Sequence, residues 1–304
     1  MHFTNRTKIA ILLEAVIALL LSISATALLL TKSVVRRPPT APVLFACCDD
    51  EQKLGEESSQ LVVITGDEYY SYETPSSRDI KCIEERQLEH KVQAFAVGQR
   101  CRHGFPQAFG FHPILGKKVT SGLFRLSCPL LVQAIDKWEN EGAVREMSDM
   151  VRASDKMSLN YVEANRRTAA IRRDIIERHE GGLEMVRAKL GPYNAEQYMS
   201  SGIAGIPAEH TWDIKCLHAH VADHLCRSTN NDDDSVGNAI GEEALRKLME
   251  ERGVDILGTE YCCQQCDVDR ERKSTDWSYV PKKNRQGLRS TRKRRKELRD
   301  TEES

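Results

Sequence analysis

The stretch Lys215-Cys216-Leu217-His218-Ala219-His220-Val221-Ala222-Asp223-His224 constrains this chain more than any other. One thiol and three imidazoles crowd into a segment that reads as a helix, with Thr211 as its candidate cap and Trp212, Leu217, Val221 and Leu225 as its apolar face. Residues four apart on a helix share a face. Cys216, His220 and His224 are therefore expected to form one line of soft donor atoms, with His218 pointing away from it. Two further cysteines sit upstream in turn-like settings, Cys101-Arg-His103-Gly104-Phe-Pro106 and Ser127-Cys128-Pro129. Together the three blocks read as a site.

The residues around them predict an α+β fold, a small irregular sheet near the start of the domain followed by a mainly helical remainder. Val92 to Gly98, Phe109 to Leu115 and Gly122 to Leu126 have the length and turn boundaries of short strands. Pro129 opens a helix at the position where a missing N–H costs nothing, and Leu130, Leu131, Ala134, Ile135 and Trp138 recur at helical spacing up to Gly142. Ser148 to Glu180 reads as one long charged helix, broken near Ser158, with a thin core contact and a solvated face. Gly181-Gly182 stops it. A shorter helix follows at Leu183 to Leu190. The glycines of Gly202-Ile-Ala-Gly205-Ile-Pro207 then let backbone come close to something, and a last helix runs around Glu242 to Arg252.

The ends differ from this middle. Ile9 to Leu30 carries one charge, Glu14, and is free of proline and glycine, enough at 1.5 Å per residue to span a hydrocarbon core of about 30 Å. It predicts a single-pass membrane anchor; a cleaved signal peptide, with Ala25-Thr26-Ala27 as its cleavage site, is the competing reading. The expected organisation is an anchor over 1–32, a stalk over 33–82, the Cys/His domain over 83–256 and a basic tail without order over 257–304. Charge is balanced, 44 Lys+Arg against 45 Asp+Glu, which gives no general reason to expect nucleic acid. The bases concentrate between Lys282 and Arg299, where the single acid is Glu297; beside a membrane anchor such a run suits anionic lipid. Ten cysteines in 304 residues do not make a miniature disulfide scaffold. Within the expected tail, Cys262-Cys263-Gln-Gln-Cys266 offers one C-x2-C pair, half of a zinc site, a redox pair, a lipidation spot or none of these.

Five short motifs in order carry a family likeness. Arg100-Cys101-x-x-Gly104-x-Pro106, Cys128-Pro129, Gly202-Ile-x-Gly205, Lys215-Cys216-Leu217-His218 and Val236-Gly237-Asn238-x-Ile240-Gly241 resemble the domain of unknown function 501 family, over roughly residues 85–255. Ala239 stands where that pattern has proline, which touches only the local turn. The resemblance implies a domain boundary and a candidate site, and no reaction.

Three thiolates and an imidazole, Cys101, Cys128, Cys216 and His220, are the expected ligands of a zinc ion, since soft donors favour zinc over calcium or magnesium. The same residues also fit a buried core cluster without metal, or a Cys101–Cys128 disulfide in an oxidising lumen. In a third reading His218, helped by Asp213 or Asp223, activates Cys101 or Cys128 as a nucleophile. His218 is thus the candidate catalytic residue. A protein partner docking on the charged helix Ser148 to Glu180 is the remaining, non-catalytic expectation.

Overall fold

The structure is a computed structural model that describes residues 60–65, 68–115, 118–120, 122–227 and 237–271. The expected anchor at 9–30, the 33–59 part of the expected stalk and the basic run at 282–299 lie outside the described residues. Among the described residues no helix is long and apolar enough to cross a membrane.

The architecture is α+β. Five strands, β1 (Gln60–Thr65), β2 (Glu68–Glu73), β3 (Ala94–Val97), β4 (Ala108–Phe111) and β7 (Phe124–Leu126), form one antiparallel sheet in the order β1-β2-β3-β4-β7. Strands β5 (Ile114–Leu115) and β6 (Lys118–Val119) make a small separate hairpin. Between β2 and β3, helix α1 (Ser77–Lys81) runs into a π-helical stretch, Cys82–Gln87. The sheet is tight at Gly110 of β4, where a Cβ would stand 2.7 Å from the Phe95 ring of β3, so any side chain here would have to displace that ring.

Helices follow from Cys128 onward: α2 (Pro129–Asn140), α3 (Ala143–Arg152), α4 (Asp155–Arg178), α5 (Gly182–Leu190), α6 (Pro192–Ser200), α7 (Leu217–Leu225), α8 (Ala239–Glu250) and α9 (Tyr261–Cys266). Pro129 occupies the first turn of α2 as expected. Helix α7 is the hub of the core: Leu217, Val221 and Leu225 pack with Leu131 and Ile135 of α2, Ile240, Ala244 and Leu248 of α8, and Leu126 of β7. All of these side chains are buried, so apolar burial fixes α7 against α2.

Three sequence expectations change here. The long charged segment breaks at Ala153-Ser154 rather than near Ser158, because the Ser154 hydroxyl accepts from the Met157 amide and caps a new helix. Nor is α4 a solvated helix with a thin contact. Tyr161, Asn165, Thr168 and Arg172 are all buried along it. Arg172 donates to the carbonyls of Tyr198 (3.0 Å), Gly202 (3.3 Å) and Ser201, which satisfies its charge inside the fold. The Asn165 carbonyl oxygen accepts from the Ile203 amide at 2.9 Å, and a Cβ on Gly202 would stand 2.5 Å from the Asn165 side chain. That is the close approach the glycine-rich loop serves. The expected tail also begins too early: residues 257–271 are described, and α9 buries Cys262, Cys263 and Cys266.

Candidate metal centre

Helix α2 presents Val132, Asp136 and Glu139 at intervals of four and three, which places them on one face. The face meets the start of α7. Cys216 precedes that helix in extended backbone (φ −157°, ψ 117°) and makes no capping bond with its own side chain. Glu139 takes over that role: its carboxylate accepts from the Leu217 amide at 2.7 Å. A negative group at a helix N-terminus is favoured by the unpaired amides and the dipole there.

The same carboxylate oxygen lies 3.1 Å from Nδ1 of His218, and Cys216 Sγ lies 3.8 Å from that nitrogen. Nε2 of His218 faces the Asp136 carboxylate at 3.3 Å and the Val132 carbonyl at 3.3 Å. Burial alone would lower the pKa of His218, but hydrogen bonds to Asp136, Cys216 and Glu139 raise it to about 11. The ring is held between two carboxylates, which favour its cationic form. The side chains of His218 and Glu139 keep 14% and 21% of their surface, so the centre is open on one side. Among the described residues, Glu139, Cys216 and His218 are the one group of three or more such donors whose ligand atoms all lie within 4.8 Å of one another.

The expected ligand set Cys101, Cys128, Cys216 and His220 is not brought together; it falls in three places. The reason is local. Cys216 is the residue before α7, not a residue within it, so the spacing rule that aligned it with His220 and His224 does not apply. His220 points into the core, stacked on Tyr161 with ring centroids 5.5 Å apart. Burial lowers its pKa to about 4, and Nδ1 lies 3.4 Å from the Asn238 amide nitrogen. The buried Asp223 accepts from Asn238 (2.7 Å), Arg227 (2.6 and 3.1 Å) and Thr168 (3.3 Å), so it is committed to the fold rather than to His218. His224 abuts α8, where a Cβ on Gly241 would stand 2.5 Å from its own Cβ. Cys101 and Cys128 line a separate cavity.

His218 is in the centre, but with Asp136 and Glu139 as its carboxylates in place of Asp213 or Asp223, and with Cys216 as its thiol. Neither acid stood out in the sequence. Their signal was an acid pair, Asp136 and Glu139, interleaved with Ile135 and Trp138, which places at least one carboxylate beside the apolar face of the helix.

Residues 97–246 match the model of a family described as a protein of unknown function (DUF501), just under half of the 304 residues. The matched range contains Cys101, Cys128, Asp136, Glu139, Cys216 and His218, and supports the domain that the five motifs outline. Helix α9 lies beyond it. No curated protein and no solved structure matches the chain.

Proposed function

We propose that this DUF501 domain binds one zinc ion through Glu139, Cys216 and His218, with a fourth position left to water or substrate. The convergence of those three donors carries the reading. In a tetrahedral zinc shell, with bonds of about 2.0–2.3 Å, an imidazole nitrogen stands about 3.5 Å from a thiolate sulfur and about 3.3 Å from a carboxylate oxygen; the corresponding separations here are 3.8 and 3.1 Å. The far nitrogen of His218 is already aimed at Asp136, the carboxylate–histidine support that orients ligating imidazoles. Three protein ligands with an open position are the pattern of catalytic rather than structural zinc, and a water bound there would lose its proton near pH 7. Hydrolysis is the reaction class this implies.

Elemental analysis of the full chain, purified without metal-affinity resin, tests the proposal. About one zinc per chain is expected at this centre, with loss of that metal in Cys216→Ser and His218→Ala. Zinc content equal to wild type in both variants overturns it.

One observation favours a second reading. His218 Nδ1 stands 3.8 Å from Cys216 Sγ, the thiol–imidazole pairing on which nucleophilic cysteines rely. If Cys216 acts as a nucleophile, iodoacetamide labels it quickly at pH 7 and His218→Ala slows that labelling at least tenfold. Equal rates remove this reading. Separately, residues 9–30 support attachment to a membrane by their length and apolarity alone; release of the chain by alkaline carbonate washing of membranes would refute it.

A further inference from the structure

Cys101, Cys128, Cys262 and Cys266 line one cavity of about 10 Å³, the space of roughly one water molecule. The first two come from the turn after β3 and from the head of α2. The other two come from α9, where a spacing of four places them on one helix face. No part of this group is shared with Glu139, Cys216 and His218.

Each of the four sulfurs is supplied with an N–H group. The turn from Cys101 to Phe105, made by Gly104 at φ +80°, directs the His103 and Phe105 amides at the Cys101 sulfur. The Leu131 amide, in the first turn of α2, acts on Cys128 in the same sense. The Thr259 amide donates to Cys262 Sγ at 3.3 Å, and Gln87 Nε2 donates to Cys266 Sγ at 3.6 Å. A neutral thiol is a weak acceptor, so donors repeated around all four sulfurs serve the thiolate form. Metal ligation removes the thiol proton outright, so a shell of donors aimed at four sulfurs around one cavity fits a bound thiophilic metal.

A second observation lies in the wall of the cavity. Gln87 and Gln265 are each 2% exposed, and the Oε1 atom of each is buried without a partner. Two orphaned acceptors among the residues lining a thiol-rich cavity are costly in an empty core.

We propose that Cys101, Cys128, Cys262 and Cys266 hold a thiophilic metal centre, either one zinc ion or an iron–sulfur cluster. Four thiolates suit these and no hard cation. The sulfurs stand around the cavity rather than at a point: no three of them come within the 4.8 Å that the Glu139 group meets, whereas neighbouring sulfurs on a single zinc lie about 3.8 Å apart. Zinc would draw the walls inward; a cluster would occupy a wider setting. Helix α9 lies outside the family match, so half of the ligand set falls beyond the matched range.

The test uses the full chain with Cys216→Ser and His218→Ala combined, which removes the other centre. It is purified anaerobically without metal-affinity resin and assayed for zinc, iron and acid-labile sulfide. Native alkylation read by mass spectrometry follows, before and after chelation. Expected are bound metal in this double variant and at least tenfold protection of Cys101, Cys128, Cys262 and Cys266 that chelation abolishes. Zinc without sulfide identifies a single ion, and iron with sulfide a cluster. The proposal falls if the variant holds neither metal, as purified or after supply of zinc or of iron with sulfide under reducing conditions. It falls equally if the four thiols alkylate at the same rate with and without metal. Protection is read on unaltered cysteines, so it does not depend on whether Cys262→Ser/Cys266→Ser folds.

Discussion

Glu139 and His218 meet at 3.1 Å through the same carboxylate oxygen that accepts from the Leu217 amide at 2.7 Å. One atom thereby caps helix α7 and faces the ring that the proposed centre uses, so structure and chemistry are separable there by substitution. Glu139→Gln keeps an oxygen for the amide and loses the charge; it should cost about 0.5–1 kcal/mol of stability in urea denaturation, while Glu139→Ala, which removes the cap, should cost about 1–2 kcal/mol. Both should weaken zinc binding at least tenfold. A Glu139→Gln protein that binds zinc as wild type does would exclude the carboxylate as a ligand.

Zinc binding should release protons. The thiol of Cys216 and the doubly bonded ring of His218 must each give up a proton to ligate. Calorimetric titration in buffers of different ionisation enthalpy should show a net release of one or more protons per zinc at pH 7, and an affinity that rises with pH. A heat independent of the buffer would contradict the ligand set.

Acid should destabilise the fold through His220. Its pKa is about 4 when folded, against an ordinary value of 6.5, so the unfolded chain takes up the proton first. Stability is fully present above about pH 6.5 and is lost as pH falls towards 4, by an amount on the order of a few kcal/mol. The surroundings leave little room to accommodate the charge: Asp223 is the one acid acting on the ring, and it is already bonded to Arg227 and Asn238. Urea titrations at pH 7 and pH 5 should show the loss, and His220→Gln should flatten it. An unchanged slope in that variant would assign the acid sensitivity to another group.

The junction of α4 with the 202–207 loop should tolerate little. Arg172→Ala strips a buried cation from three carbonyls and should cost about 3–5 kcal/mol. Gly202→Ala forces a methyl against Asn165 and should cost about 1–3 kcal/mol. Thermal or urea denaturation reads both; a loss below 1 kcal/mol in Arg172→Ala would mean the guanidinium reaches solvent.

Local signals in the sequence placed several elements well. Pro129 marked the start of α2, Gly181 the stop after α4, and the runs at 92–98 and 122–126 strands β3 and β7. What escaped was decided by tertiary contact. Nothing in Thr211 to Cys216 tells that a remote glutamate, not a local hydroxyl, caps α7, and that single displacement moved Cys216 off the face of His220. Helix α4 looked solvated because its inward positions carry Asn165, Thr168 and Arg172, whose partners sit on other elements. Helix α9 is too short for periodicity to register, and only its cysteines hinted that it packs. Of the four expected ligands Cys101, Cys128, Cys216 and His220, only Cys216 lies in the Glu139–His218 group, because its companions there are set by tertiary geometry.

The contact of His103 with Cys263, at 3.1 Å across a sequence separation of 160 residues, has a consequence for how the chain becomes a domain. Cys101 and Cys128 are made early in synthesis, whereas Cys262 and Cys266 emerge only after every helix of the hub. The cavity therefore lacks the wall made by Cys262, Gln265 and Cys266 until the last described helix docks. A ligand bridging the two halves would close a loop longer than 100 residues, and such a closure removes on the order of 5 kcal/mol of freedom from the unfolded chain. The clasp would report completion: a chain cut short before α9 has nothing to fasten it.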